Sequence, residues 1–236
     1  MKRRYMVLLL ILAICFAFFT SGTYAAERDS ISVNGHASTE VSPDMAMLFG
    51  GLEKRALTAE EARNSLAKEM KAFKHLLTVQ MIPDQDIQTV RYSLQPEYVY
   101  DKNEQRLKGY LAHAEYKIKI KNLEELGPVM DKSINCGLIV NRVEFGLNRR
   151  SLIENSLLDE AVTNARTKAA VVARAGGRTL GRLIHANLGT VTGATRTMNR
   201  NMLMAKTADA AETAATELDP GVIRVSVDVN LEFELE

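Results

Sequence analysis

The C-terminal end of the chain alternates apolar and polar residues with a period of two. Between residues 223 and 235 every odd-numbered position is Ile, Val, Leu or Phe, and every even-numbered position is polar or charged. Successive side chains of a β-strand point to opposite faces, so this pattern predicts a strand with one buried face and one wet face. Half-buried strands are typical of antiparallel sheets, because buried parallel strands are apolar on both faces. The chain is therefore expected to contain an antiparallel sheet.

The same period of two predicts a long β-hairpin in the middle of the chain. Apolar and polar residues alternate over residues 109–121, and a second alternating apolar face runs over residues 90–100. The polar residues 101–105 between them predict the turn. Shorter strands are predicted at residues 31–35, 45–54, 139–147 and 180–188.

Two helices are predicted among these strands. The first begins with Thr58 and Glu61, which have the spacing of a capping box, and its apolar residues continue at helical spacing to Leu77. This stripe should pack on the sheet. The second helix is short, begins at Asn122 and ends near Gly137.

A third predicted helix begins at Ser151, with Glu154 three residues on, and ends at the glycine pair 176–177. It carries a row of alanines at a spacing of four, namely Ala161, Ala165, Ala169 and Ala173. Such a row is narrow and flat, so it allows the helix to approach a neighbouring surface closely. Packing on the sheet is the favoured interpretation of the alanine row, and self-assembly through it is the alternative.

Residues 190–219 follow neither pattern and predict a long flexible loop, which is uncommon unless it is functional or disordered. Pro220 and Gly221 end this loop before the last strand. No linker divides the chain into two cores. We therefore predict one α+β domain over residues 26–236, with a mostly antiparallel sheet of about six to seven strands and three helices packed on it.

Residues 1–25 have the three parts of a secretory signal peptide. Basic residues at positions 2–4 precede an apolar run, and residues 23–25 have the small-x-small form that a signal peptidase cleaves. The apolar run is shorter than the roughly 20 residues that a membrane-spanning helix needs. Cleavage before Ala26 is the favoured interpretation, and an uncleaved anchor or lipidation at Cys15 are the alternatives. No membrane span is expected after cleavage.

Loss of the leader changes the charge and leaves one cysteine. The whole chain has a formal net charge of +1, and the leader carries three basic residues and no acid, so the mature chain has −2. This balance predicts no nucleic-acid partner and no anionic lipid surface. For the remaining Cys136 a buried structural thiol is favoured over a disulfide between two chains.

The sequence shows no pattern typical of a catalytic or metal-binding site. The four histidines, His36, His75, His113 and His185, are scattered and lack the His-Glu-x-x-His spacing of a zinc site. No serine lies in a Gly-x-Ser-x-Gly elbow, and the glycine pair 176–177 follows a helix, as a C-cap does, instead of preceding one as a phosphate-binding loop does. We therefore predict no catalytic residue, no bound metal and no cofactor.

Two further hypotheses are kept as minor alternatives. Met198, Met202 and Met204 could bind Cu(I) through their thioethers, although their segment has no Cys or His to complete a site. The tyrosines of the hairpin could line an enzyme pocket, although packing in the sheet with the hydroxyls at its rim is favoured. These tyrosines are Tyr92, Tyr98, Tyr100 and Tyr110.

Short segments lie in a characteristic order along residues 30–235. They are ISVNG at 31–35, PDMA at 43–46, IQT at 87–89, LQPEY at 94–98, GY at 109–110, the alanine row with Lys168, and PGVI at 220–223. In this order the chain resembles the SIMPL-domain family, a domain of unknown function that includes bacterial periplasmic immunogenic proteins and oxidative-stress defence proteins. The pair Pro43 and Asp44 is typical of the family, and we interpret it as a turn that precedes a strand.

The resemblance implies an α+β domain and, for at least some members, assembly into large ring-like homo-oligomers; it transfers no catalytic residue. We expect an exported, non-enzymatic, periplasmic protein that self-assembles and supports resistance to envelope or oxidative stress, with an association with the outer membrane left open. The alternative is a periplasmic binding module that recognises a ligand or an envelope protein through its long loop or its sheet face.

Overall fold

The computed structural model describes residues 29–101, 104–193, 196–199 and 218–236. The predicted signal peptide lies outside the described residues, and so does most of the predicted loop at 190–219. Within these ranges the chain forms eight strands and three α-helices. The strands are β1 (Ser30–Val41), β2 (Met45–Ala56), β3 (Ile87–Asp101), β4 (Glu104–Ile120), β5 (Ile139–Gly146), β6 (Leu180–Gly193), β7 (Arg196–Asn199) and β8 (Ile223–Leu235). The helices are α1 (Ala59–Val79), α2 (Leu126–Asn135) and α3 (Arg150–Ala175).

The strands form two sheets. One sheet has five strands in the order β3-β4-β2-β5-β7, and each of its pairings is antiparallel. The other has three strands in the order β1-β8-β6. The α+β class and the antiparallel sheet are therefore confirmed. The end of β6 and the whole of β7 lie where the sequence predicts the start of the long loop, and β7 is the one strand beyond the predicted number.

The described chain divides into two compact units. The larger unit comprises His36–Ala161 and Gly189–Asp228, and the smaller unit comprises Val162–Leu188, Val229–Glu236 and the described residues up to Gly35. Four elements, β1, β6, β8 and α3, have residues in both units. Because the division falls inside regular elements, no linker marks it in the sequence.

The core of the larger unit contains side chains from α1, α2, β2, β4 and β5. Leu48, Phe73 and Ile118 are fully buried there. The predicted start of α1 is confirmed, because the Thr58 hydroxyl accepts a hydrogen bond from the Glu61 backbone N–H at 3.2 Å. Gly137 follows α2 with a φ of +95°, a left-handed conformation that favours glycine at a helix end.

Helix α3 begins one residue earlier than the sequence predicts, at Arg150. Ser151 therefore lies inside the helix, and Glu154 does not act in a capping box. Instead, the Glu154 carboxylate accepts a hydrogen bond from Arg150 Nε at 2.6 Å, one turn away on the same face.

In the smaller unit, α3 buries a narrow stripe. Ala165, Ala169 and Ala173 are at most 3% exposed, whereas every other residue between Ala165 and Ala173 is exposed. The alanine row is thus already buried within one chain. It leaves no exposed surface in this row for a second copy.

The alternation of β8 is matched by its burial. The odd-numbered residues from Ile223 to Phe233 are at most 5% exposed. The even-numbered residues carry polar pairs to β1, because Ser30 binds Glu232 at 2.5 Å, Ser32 binds Asn230 at 3.2 Å and Arg224 binds Glu40 at 2.6 Å. As the residue number on β1 rises, the partner's number on β8 falls, so these two strands are antiparallel.

Candidate functional site

The two longest strands, β3 and β4, form an antiparallel ribbon at one edge of the five-stranded sheet. Ile87 lies opposite Ile118, and Asp101 lies opposite Glu104 at the far end. Residues on β3 shift register between Thr89 and Arg91 and again between Glu97 and Tyr98, as β-bulges do. The hairpin predicted from the sequence is present, and the two bulges add one residue to each strand, Val90 on β3 and Lys108 on β4.

Gly109 supports the second bulge. Its φ is +156°, and a Cβ atom at this position would lie 2.5 Å from the Ala56 carbonyl oxygen. The close approach of β4 to the end of β2 therefore requires glycine here.

From the first bulge onward, the ribbon exposes large apolar side chains. We call the following set the ribbon patch: Val90, Tyr92, Leu94, Tyr98, Val99, Tyr100 and Leu107, with exposed fractions from 39% to 78%. Tyr110, by contrast, is partly buried against the core of the larger unit. The prediction that the hairpin tyrosines pack in the sheet thus fits Tyr110, whereas Tyr92, Tyr98 and Tyr100 face solvent.

A groove lies where α1 meets the beginning of β3. Its volume is about 600 Å³, and Phe73, Leu77, Ile87 and Tyr116 line it with apolar surface. The Phe73 and Tyr116 rings meet edge to face with their centroids 5.2 Å apart. Burial raises the pKa of Tyr116, although a hydrogen bond with the Thr89 side chain partly offsets this effect.

The rim of this groove is polar and mostly basic. Lys71, Lys74, His75 and Asp84 are at the rim, and Lys74 pairs with Asp84 at 3.0 Å. The rim therefore carries one carboxylate and three basic side chains. The groove can accept a molecule with an apolar body, and its rim favours a negative group over a positive one.

The opposite face of the five-stranded sheet carries paired charges. Arg142 stacks over the Phe49 ring with its guanidinium carbon 3.8 Å from the ring centroid. His113 lies beside Glu53 with 3.5 Å between Nδ1 and Oε1, and it packs against Gly51. His113 was predicted on the polar face of its strand, and it is partly buried there.

The remaining candidate residues from the sequence are three histidines, Cys136 and three methionines, and they do not form one site in the described residues. His36 Nδ1 is 2.8 Å from Asp228, His75 is at the groove rim, and His185 lies on β6. Cys136 is a free thiol that is partly buried against the core of the larger unit. Met198 belongs to β7, whereas Met202 and Met204 lie outside the described residues. Within the described ranges, no group of three or more His, Cys, Asp or Glu residues is placed to hold a metal ion.

Asp44 and Lys168 both bind backbone groups. The Asp44 carboxylate accepts a hydrogen bond from the Asn148 N–H at 2.6 Å, and Lys168 Nζ donates to the Asn34 carbonyl at 3.0 Å. Asp44 therefore fastens the start of β2 to the segment after β5. In the described part of the chain, no helix combines the length and apolar character needed to cross a membrane.

Comparison with known proteins gives relatives over most of the chain. The 26 kDa periplasmic immunogenic protein of Brucella melitensis biotype 1 is 31% identical over 176 residues, which cover 71% of this chain and 70% of that protein. The uncharacterized protein YggE of Escherichia coli strain K12 is 26% identical over 208 residues, 87% of this chain and 83% of that protein. YggE of Edwardsiella ictaluri is 27% identical over 157 residues, 66% of each chain. The family model for SIMPL, described as a protein of unknown function (DUF541), matches residues 31–233, and the chain therefore belongs to the SIMPL family.

Proposed function

We propose that the chain is an exported, non-enzymatic envelope protein that self-assembles through its β3–β4 ribbon and supports resistance to envelope or oxidative stress. The signal peptide predicted at residues 1–25 supports export. The Brucella relative is named a periplasmic protein, which supports the periplasm as the destination.

The ribbon patch is the observation that carries the assembly proposal. Strand β3 is at the edge of its sheet and, among the described strands, pairs with β4 alone. An edge strand presents unpaired N–H and C=O groups, and proteins usually protect it with charges or short length. Here the edge strand is 15 residues long and bears exposed Tyr, Val and Leu side chains. Such a surface is suited to pairing with another copy of the chain.

The non-enzymatic part is supported by the family resemblance, which transfers no catalytic residue, and the charged groups near the ribbon are paired with one another. Arg55 binds the Glu97 carboxylate with Nε 3.1 Å from both oxygens, and Lys121 binds Asp86 at 2.7 Å. These pairs join neighbouring elements of the larger unit. Their role is therefore to hold the ribbon in place.

The assembly proposal is tested by the mass of the mature chain, residues 26–236, measured by light scattering after size-exclusion chromatography. We expect a homo-oligomer, and we expect a double variant with Tyr98→Lys and Tyr100→Glu to dissociate at the same concentration. Leu152→Glu is the matched control, because Leu152 is 59% exposed but lies on α3. A monomeric parent at high concentration would contradict assembly, and an unchanged mass in the double variant would contradict the role of the ribbon.

The stress proposal is supported by the family resemblance, and it is tested in cells. A strain that lacks the protein should survive hydrogen peroxide or envelope-damaging detergent less well than its parent. Expression of the parent chain should restore survival, and expression of the Tyr98→Lys, Tyr100→Glu variant should restore it only in part. Equal survival of the deletion strain and its parent under every stress would count against this role.

The second candidate function is a binding module, and the groove between α1 and β3 is the observation that favours it. A volume of about 600 Å³ lies within the usual range of ligand pockets. The fluorescent probe anilinonaphthalene sulfonate combines an apolar body with one negative group, as the groove and its rim require. We expect it to bind, and we expect Thr89→Trp to fill the groove and abolish binding, whereas Ser93→Trp on the same strand should not.

The alternative binding hypothesis is recognition of a partner through the predicted loop. Deletion of residues 194–217 tests it, because capture of the partner should then be lost while the fold persists.

A further inference from the structure

The charge of this chain is distributed unevenly. From residue 161 to residue 208 the sequence contains no Asp or Glu, although the whole chain has 29 acidic residues and 30 Lys or Arg. The same stretch contains eight basic residues: Arg166, Lys168, Arg174, Arg178, Arg182, Arg196, Arg200 and Lys206. A nearly neutral net charge therefore conceals a strongly basic segment, and most of this segment is α3 and β6.

Three of these arginines line one groove of the smaller unit. The groove has a volume of about 730 Å³ and lies along the exposed side of α3, ending at the start of β6. Arg166, Arg174 and Arg178 line it together with Thr163 and Thr179, and Val171 gives it an apolar wall. Among the residues that the structure describes, no acidic side chain lines it. The groove exists because α3 buries only its narrow alanine row, which leaves the longer side chains on the exposed side.

The basic side chains of this unit differ in whether they have a hydrogen-bond or ion-pair partner within the chain. Lys168 donates to a backbone carbonyl, Arg182 binds Glu234 at 2.8 Å, and Arg178 pairs with Asp29. Within the described residues, no carboxylate lies within ion-pair distance of Arg166 or Arg174. The N–H donors of Arg166 and Arg174 are thus available to a ligand, whereas Arg178 shares its donors with the Asp29 carboxylate.

We propose that this groove binds a phosphate-bearing anion, either a phosphomonoester or a pyrophosphate group. Guanidinium groups form bidentate hydrogen bonds with phosphate oxygens, and these bonds are stronger than those between neutral groups. The hydroxyl of Thr163 adds a further donor at the groove. The apolar wall at Val171 accommodates the uncharged part of the ligand. Two sources share this chemistry, a soluble phosphorylated compound and the headgroup of a phosphorylated lipid.

The first experiment titrates the mature chain with inorganic pyrophosphate in a calorimeter at low and at moderate salt. We expect the double variant with Arg166→Gln and Arg174→Gln to bind at least tenfold more weakly than the parent. A double variant with Arg63→Gln and Arg149→Gln is the matched control, because these arginines are exposed on α1 and just before α3, away from both the groove and the ribbon, and its affinity should stay within twofold of the parent. Circular dichroism verifies that each variant is folded.

The second experiment identifies the source of the phosphate group. The same three proteins are sedimented with vesicles of phosphatidylcholine that contain phosphatidic acid, a phosphomonoester lipid. Co-sedimentation that is lost with Arg166→Gln and Arg174→Gln supports a lipid headgroup, and arginine-dependent binding of pyrophosphate alone supports a soluble ligand. Binding that is equal in the two double variants in both experiments, or no binding in either, overturns the proposal. Light scattering on the same variants separates this result from the assembly proposal, because the ribbon patch is unchanged in them.

Discussion

Helices α1 and α3 are both long, but they use their surfaces in opposite ways. Helix α1 buries Leu66, Phe73 and Leu77 in the core of the larger unit. The second half of α3 buries alanines and leaves its arginines and valines exposed. The free energy gained by burial grows with the apolar area removed from water, so α1 contributes more to stability per turn than α3 does. The comparison suggests that α1 maintains the fold, whereas α3 presents a surface for binding.

The largest effect is expected from Phe73→Ala. Phe73 is fully buried and meets the Tyr116 ring edge to face. Its loss removes apolar contacts and leaves a cavity, so we expect the free energy of unfolding to fall by about 3–5 kcal/mol. Urea denaturation followed by circular dichroism measures this, and Phe73→Leu, which keeps part of the volume, should cost less. If Val171→Ala on the exposed side of α3 cost as much, the contrast between the two helices would be wrong.

The next effect concerns the alanine row of α3. Ala169 has no exposed surface, so Ala169→Leu must push apart the elements that pack there, at a cost of about 1–3 kcal/mol. Ala175→Leu is the matched control, because Ala175 is exposed on the same helix. Thermal unfolding should show a lowered midpoint for the first variant and little change for the second. A stabilising effect of Ala169→Leu would mean that the row is loosely packed.

Much of this architecture was predictable because it depends on periodic patterns. The burial of β8 follows its odd-numbered apolar residues, and the start of α1 follows from Thr58 and Glu61. The bulges of β3 and β4 were not predictable, because an extra residue in a strand depends on how its partner pairs and leaves no distinct composition. The exposure of Tyr98 and Tyr100 was not predictable either, because an alternating pattern identifies the face that these side chains share and does not show whether another element covers it.

The two grooves could be predicted only in part. The basic segment from residue 161 to residue 208 is visible in the sequence, but the net charge of the whole chain hides it. That Arg166, Arg174 and Arg178 share one groove depends on the turn after α3, which brings Arg178 back beside the helix. The groove at Tyr116 depends on how α1 lies against the beginning of β3 and against β4, and no local pattern encodes that.

A smaller effect is expected at the beginning of α1. Thr58→Ala removes the side-chain acceptor of the Glu61 N–H, and the loss of such a cap costs about 1 kcal/mol. Ser151→Ala is the control, because Ser151 lies inside α3 and does not cap it. Chemical denaturation of both variants should show a loss for Thr58→Ala alone. Equal losses would indicate that α3 also depends on a side-chain cap.

The smallest effect is the pH dependence that Tyr116 contributes beside α1. Burial raises the pKa of Tyr116 above the value of 10.0 that applies to an unperturbed tyrosine. The unfolded chain therefore loses this proton at a lower pH than the folded chain does. Tyr116 therefore leaves the free energy of unfolding unchanged below about pH 10 and lowers it as the pH rises from there toward the pKa that Tyr116 has in the folded chain. Urea denaturation between pH 8 and pH 11 should show a steeper fall for the parent than for Tyr116→Phe. The Arg166→Gln, Arg174→Gln variant should follow the parent, since arginine stays charged throughout this range; a parent curve as shallow as that of Tyr116→Phe would show that the Tyr116 hydroxyl is as well solvated in the folded chain as in the unfolded one.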